Sequence, residues 1–389
     1  MNAIKNAKII TMDKSRRIIE KGFIKWQDGI ITEIGEGECG DVNAFDARGA
    51  ALYPGFVDAH THLGLTTNGV GEESDDFNEE SEPCTPHMHI IDGINPMDES
   101  FYEAVKAGIT SVAVSPGSAN AVAGDIALIR TYGKRIDKML IKTVGIKFAM
   151  GENPKMTYMN KEQTPYTRLA IAALIRESLN KARRYMEDKQ KAIREGEDQP
   201  EYDIKSEALI PLLEKKVKAH FHCHRADDIF TAIRIAKEFD LDFVLIHCTD
   251  GYLIADELKE EGAYAVVGPL LNDKCKPELA NFTPANAGIL DKAGVCVSIC
   301  TDHSETPIQY LPLTAAIAVK NGLSRQSALE ALTVNPARAL GADDIIGSLE
   351  KGKNADMSLF EGDPLDIYQS PVLVVAGGEV RYERKDSFA

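Results

Sequence analysis

Between residues 53 and 346 the sequence repeatedly switches between short apolar runs suited to strands and longer stretches suited to helices. Such alternation is the signature of βα units around a parallel sheet, because joining parallel strands takes a long crossover that is usually a helix. Strands are expected to end near His62, Ser115, Ala149, His222, Cys248, Gly268 and Asp302, with a less distinct one over 124–131. That makes about eight, which fits a closed (β/α)8 barrel of TIM type better than an open α/β sheet. Helices are expected at Glu99–Ala107, Thr167–Arg194, Asp227–Glu238, Ala285–Ala293 and Ser324–Leu340, the last with Ser324 as its cap.

The two ends of the chain read differently. Apolar runs at Ala7–Met12, Gly22–Trp26 and Ile30–Gly35 are short, and Gln27-Asp28-Gly29 between the last two is a hairpin signal. After Gly347 the runs Ala355–Phe360, Pro371–Ala376 and Gly378–Tyr382 repeat this pattern. Residues 1–52 and 347–389 are therefore expected to form a small, composite, sandwich-like β domain attached to a barrel over 53–346. The charged stretch 183–201 reads as a solvated helix face and linker. Residues 64–98, with Gly69, Gly71, Pro83, Pro86 and a run of acids, form a long loop after the first strand, placed to cover a substrate in a barrel.

The polar residues of interest gather at strand ends, where barrels of this kind carry their chemistry. In Pro54-Gly55-Phe56-Val57-Asp58-Ala59-His60-Thr61-His62 a short apolar strand ends in two histidines one residue apart. On a strand they share one face, about 7 Å apart at full extension. Neutral imidazole binds zinc and related metals at about 2 Å, so the pair can close on a single ion. Other strand ends carry Lys147, His222, His247 and Asp302. In Val217–His224, three histidines, His220, His222 and His224, share a face; only one or two can sit at the depth of a metal. A solitary strand-end histidine is commonly a hydrogen-bonded structural residue, and a solitary aspartate commonly caps the next helix. Six metal-competent or charged groups converging on one mouth are much harder to explain separately.

Just past strand ends lie Glu152, His224, Arg225 and His303, candidates for substrate contact, with a loop salt bridge or helix cap as the competing reading of each. His87 and His89 repeat the one-apart spacing, but Pro83 and Pro86 argue against a strand there, so they read as surface or lid residues. The seven cysteines show no C-x-x-C spacing and read as reduced thiols; Cys223 and Cys248 adjoin histidines of interest but face the opposite way on a strand.

Charge bounds the partners. With 44 Lys+Arg against 60 Asp+Glu the net charge is −16, which argues against nucleic acid or an anionic membrane as partner. No window approaches the roughly 18 apolar residues of a membrane span, and Met1-Asn2-Ala3-Ile4-Lys5 leads into polar sequence rather than a signal peptide. A cytoplasmic protein acting on a small-molecule substrate is expected.

The sequence resembles the amidohydrolase superfamily over nearly its whole length. Pro54–His62 looks like that family's first-strand signature, and Thr333-Val334-Asn335-Pro336-Ala337-Arg338-Ala339-Leu340-Gly341, followed by Gly347–Asp356, looks like its exit helix and return to the β domain. Gly145–Pro154 and His222–Ile229 are similar to the imidazolonepropionase-related and prolidase-like branch. The resemblance implies that His60 and His62 ligate one divalent metal, His222 and His247 a second, and that Asp302 contacts the first and accepts a proton from the attacking water. Lys147 would bridge the two, carboxylated on its ε-nitrogen. Alternatives at this stage are an ion pair of Lys147 with Glu152 or Asp302, a bridging Glu152, or a mononuclear site of His60, His62, His222 and Asp302 with His247 orienting substrate or water. The metal implied is zinc, as one or two ions, and relatives often self-associate as homo-oligomers. The function implied is hydrolysis of a C–N bond in an amide, cyclic amide or dipeptide-like molecule. Other readings are a deaminase, isomerase or decarboxylase on the same fold, and a scaffold without metals.

Overall fold

The computed structural model describes residues 2–66 and 72–385. Gly69 and Gly71 of the expected loop lie outside the described residues. One sheet starts with β1 (Ala3–Ile10), β2 (Ile18–Gln27), β3 (Ile30–Glu36), the short β4 (Phe45–Asp46) and β5 (Ala51–Pro54). The chain then builds a second sheet from β6 (Phe56–Thr61), β7 (Ile109–Val114), β8 (Val122–Arg130), β9 (Leu140–Ala149), β10 (Lys218–Cys223), β11 (Phe243–His247), β12 (Tyr264–Val267) and β13 (Cys296–Ile299). It returns to the first with β14 (Met357–Phe360), β15 (Leu373–Ala376) and β16 (Glu379–Glu383).

In the first sheet the ends of the chain meet. β5 pairs antiparallel with β14, setting Leu52 opposite Leu359, and Ile4, Ile9, Ile24 and Trp26 pack with both. The β2–β3 turn places Asp28 at φ 51° and Gly29 at φ 79°, the left-handed pair that a tight hairpin requires.

The second sheet runs in chain order from β6 to β13 and curls into a nearly closed barrel. β8 departs from the expected (β/α)8 pattern, because it is antiparallel to both β7 and β9. Only residues 115–121 separate β7 from β8, too few for a crossover helix, so the chain reverses instead. β6 and β13 draw together at the mouth, where His62 N donates to His303 O (2.7 Å) and Asp302 N to His60 O (3.2 Å). The joint falls on the residues with metal-binding side chains.

Alternation along β6 divides its packing: Phe56 joins the large cluster shared with the outer helices, whereas Val57 and Ala59 belong to two smaller clusters formed with other strands and the helix Val334–Ala339. The long helix Arg168–Glu195 buries Ile171, Ile175 and Leu179 in the large cluster and ends at Gly196 in the left-handed conformation. Its charged end is the solvated face read from 183–201. The expected helix 324–340 is two, Arg325–Ala331 and Val334–Ala339, with Ser324 Oγ accepting from Ser327 N as a cap and Thr333 out of helical geometry between them. Among the described residues no helix is long and apolar enough to cross a membrane.

Candidate metal centre

Two clusters of ligand-type side chains occupy the barrel mouth. His60 Nε2 and His62 Nε2 lie 3.2 and 3.4 Å from Asp302 Oδ1. His222, His224 and His247 form the second group, with ring centroids 4.6–4.7 Å apart. The groups are linked by the 4.0 Å from His247 Nε2 to Asp302 Oδ2. Backbone conformation aims two of these side chains: His247 and Asp302 sit at φ 69° and 53°, a left-handed geometry uncommon for residues other than glycine and typical of functional sites.

The outer hydrogen bonds set the chemistry. His62 Nδ1 donates to Ser115 O (2.7 Å) and His247 Nδ1 to Gly268 O (2.6 Å). A carbonyl can only accept, so these Nδ1 atoms carry the proton and Nε2 is left as a lone pair facing the site. His222 Nδ1 meets Ser118 Oγ at 2.9 Å and His224 Nδ1 meets Thr249 Oγ1 at 2.8 Å. On the inner side, Nε2 of His60, His222 and His224 and Oδ1 of Asp302 are buried without a hydrogen-bond partner. Such atoms are costly unless something binds them. Imidazole nitrogens and a carboxylate oxygen at these separations suit a divalent ion, whose tetrahedral ligands at about 2.1 Å lie about 3.4 Å apart. Burial pushes the His60, His222 and His224 rings well below the ordinary histidine range, keeping them in the neutral, ligating form. Burial alone raises the Asp302 carboxyl, but His247, His60 and His62 outweigh it and hold it ionised, well below the usual range.

Lys147, at the end of β9, is fully buried and donates from Nζ to Pro116 O (3.1 Å). Burial pushes its ammonium down to about 8. It makes no ion pair with Glu152 or Asp302 in the structure.

The candidates for substrate contact separate. His224 stands in the second histidine group rather than beside it. Arg225 is turned away: it binds the Asp227 carboxylate with Nε (2.9 Å) and Nη2 (2.8 Å) and lines a different cavity with Asp250 and Pro277. His303 is buried with Nδ1 accepting from Ile308 N (3.1 Å), and burial pushes it down to about 4. Glu152 opens the helix Glu152–Asn160 and is engaged with Glu278: its N donates to Glu278 Oε2 (2.9 Å), and its Oε2 accepts from Glu278 N (3.2 Å). It is therefore latched to the wall, not placed between the histidine groups. His220, the third histidine of β10, is buried with neither ring nitrogen partnered. Cys223 and Cys248 are buried and belong to neither ligand group.

Sequence reasoning missed Glu278. Its carboxylate is buried, 3.5 Å from His224 Nε2 and 3.9 Å from His222 Nε2, and pairs with Lys276 Nζ at 2.8 Å. It comes from the irregular loop after β12, where neither periodicity nor a strand end marks a position. A cavity of about 300 Å³ opens over both groups, walled by Phe77, Asn78, Asn153, Asn272, Lys276 and Glu305 among others. Phe77 and Asn78 come from the long loop after β6, so that loop does cover the mouth; the Phe77 ring lies 5.3 Å from that of His62.

A nearly closed α/β barrel with five histidines and an aspartate gathered at its mouth defines an enzyme built around a candidate divalent-metal centre. The chain belongs to the amidohydrolase family, whose model matches residues 51–382, and the family's members are hydrolytic enzymes acting on C–N bonds, typically with divalent metals. An amidohydrolase from Thermotoga maritima MSB8 of known structure is 40% identical, with 98% of this chain and 100% of that one covered at a TM-score of 0.94. Imidazolonepropionase of Geobacillus thermodenitrificans is 26% identical over 88% of this chain and 84% of its own length. Amidohydrolase tasK of Hapsidospora irregularis is 26% identical over 94% of this chain, which spans only 40% of that protein.

Proposed function

We propose that this chain hydrolyses a C–N bond of a small molecule, an amide, cyclic amide or dipeptide-like compound, using one or two divalent ions of which zinc is the first choice. The observation that carries this reading is the division of labour on the histidines: Nδ1 of His62, His222, His224 and His247 is engaged outward, while Nε2 of His60, His222 and His224 and Oδ1 of Asp302 are buried without a partner. His60, His62 and Asp302 would hold one ion, and His222 and His247, joined by His224, the other. Lys147 is suited to bridge as a carbamate, since its Nζ is buried at the mouth without a carboxylate partner and an ammonium cannot ligate a cation.

Divalent ions bound there would lower the pKa of a coordinated water from about 15.7 to about 7 and polarise the scissile carbonyl. Asp302, held ionised, takes the proton of the attacking water and passes it to the leaving nitrogen. Ser115 O, Ser118, Thr249 and Gly268 O fix the imidazole orientations, so the site needs little rearrangement to act. Phe77 and Asn78 wall one side of the cavity over it.

Elemental analysis of protein purified without chelator, followed by a screen of cyclic amides, imidazolones, N-acyl amino acids and Xaa-Pro dipeptides with metal-loaded enzyme, tests the reading. Metal that stays far below one equivalent and is not restored by zinc or manganese would overturn it. Ammonia released from a ring amine in place of ring or amide cleavage would move it to the deaminase alternative.

A further inference from the structure

Lys276 is the one lysine or arginine among the described residues that line the cavity over the histidines. Its side chain keeps 26% of its exposure. Two oxygens hold it: Asn153 Oδ1 accepts at 2.9 Å, and Glu278 Oε1 pairs with it at 2.8 Å. An ammonium has three N–H donors. Among the described residues its Nζ makes no third hydrogen bond or ion pair.

The mounting is itself braced. Glu278 is buried, its second oxygen accepts from Glu152 N (2.9 Å), and its own N donates back to Glu152 Oε2 (3.2 Å). Gly151, at φ 80°, makes room for this, since a Cβ there would lie 2.7 Å from Glu278 Oε2. The loop after β9 and the loop after β12 are thus locked by two links, Glu152 with Glu278 and Asn153 with Lys276. A cation fixed in this way loses little side-chain entropy when it binds an anion. Only two contacts, of 2.8 and 3.5 Å, separate Lys276 Nζ from His224 Nε2 by way of Glu278 Oε1. A group held by Lys276 therefore lies within a few bonds of the atoms at the histidines.

We propose that Lys276 anchors a carboxylate on the substrate, so that the molecule hydrolysed is an anion carrying its carboxylate close to the scissile C–N bond. This rests on the hydrolase reading above and narrows its substrate class. Glu278, Asn153 and Glu152 are positioning residues, acting through Lys276.

The test compares N-acetylglycine with its neutral analogue N-acetylglycinamide, which differ by one carboxylate, as ligands of the metal-loaded protein by calorimetry. Each substrate found in the screen is compared in the same way with its carboxamide, by KM and kcat. Lys276→Met alone leaves the buried Glu278 carboxylate without its cation and risks the fold, so the double variant Lys276→Met/Glu278→Gln is used beside Lys276→Arg, with unfolding curves for each. The wild type should prefer the carboxylate at least tenfold, Lys276→Arg should keep part of that preference, and the double variant should lose it chiefly through KM. No preference in the wild type, no binding of the carboxylate, or a preference that survives in the folded double variant would each overturn the anchor. Metal content separates the two readings: a preference that tracks Lys276 in protein that takes up no metal would keep the anchor and reject the hydrolase.

Discussion

Asp58 Oδ2 accepts from both the backbone N (3.0 Å) and the hydroxyl (2.6 Å) of Thr301, which lies 243 residues further along the chain. Its other oxygen accepts from His60 N (3.2 Å). One buried carboxylate thereby ties the end of β6 to the segment after β13 and sets His60 and Asp302 side by side at the barrel joint. Asp58→Ala should cost about 2–4 kcal/mol, because it leaves buried N–H and O–H donors without acceptors, and Thr301→Val about 1–3 kcal/mol, since the hydroxyl's bond to Asp58 is lost and His303 N loses its acceptor. Urea unfolding measures both. Losses below about 0.5 kcal/mol in both would mean that the joint is held by other contacts.

Asp302→Asn keeps an oxygen donor beside His60 and His62 but cannot take a proton from the nucleophile. Metal content close to wild type, with kcat lowered at least about 100-fold, is the expected result on any substrate the screen finds. Turnover near the wild-type rate would refute the role assigned to this carboxylate.

Ser118 and Thr249 touch only the outer nitrogens of His222 and His224. Ser118→Ala and Thr249→Val should nevertheless lower metal affinity about 10–100-fold, as loss of an outer hydrogen bond typically does. Competition with a chelator reads this directly. Unchanged affinity in both variants would show that the second histidine group does not hold the ion.

His89 titrates away from the site. The Asp125 carboxylate, 2.9 Å from its Nδ1, holds the ring's pKa above the ordinary histidine value. Because the folded-state pKa is the higher one, the stabilisation is complete below the unfolded value and is lost as pH rises through the folded one. With the ring 67% exposed it amounts to less than about 0.5 kcal/mol. Proton NMR of the ring should show a midpoint that falls towards 6.5 in Asp125→Asn. A midpoint unmoved by that substitution would exclude the pair as the cause.

Much of the site was legible because barrels put chemistry at strand ends and because strands betray their ends. His60, His62, His222, His247 and Asp302 each close an apolar run, and the structure brings all five to one mouth. His224 and Arg225 were not separable in the sequence. Both follow β10, and only the packed structure turns His224 inward to Thr249 and lets Arg225 close on Asp227 outside. The direction of β8 was hidden for a related reason. A strand of nine residues, Val122–Arg130, looks the same to a pattern whichever way it runs, and only the short link from β7 forces the reversal.

The sequence by itself determined the sequence-local features: the strand runs, the helices with their caps, the Asp28-Gly29 turn and the residue types able to ligate a metal. These depend on side-chain period and backbone preference within a few residues. Tertiary structure alone decided the partners. Asp58 with Thr301, Glu152 with Glu278 and Lys276 with Asn153 join segments more than a hundred residues apart. No local pattern encodes such pairs, because the contact exists only once the barrel has curled round to bring those segments together.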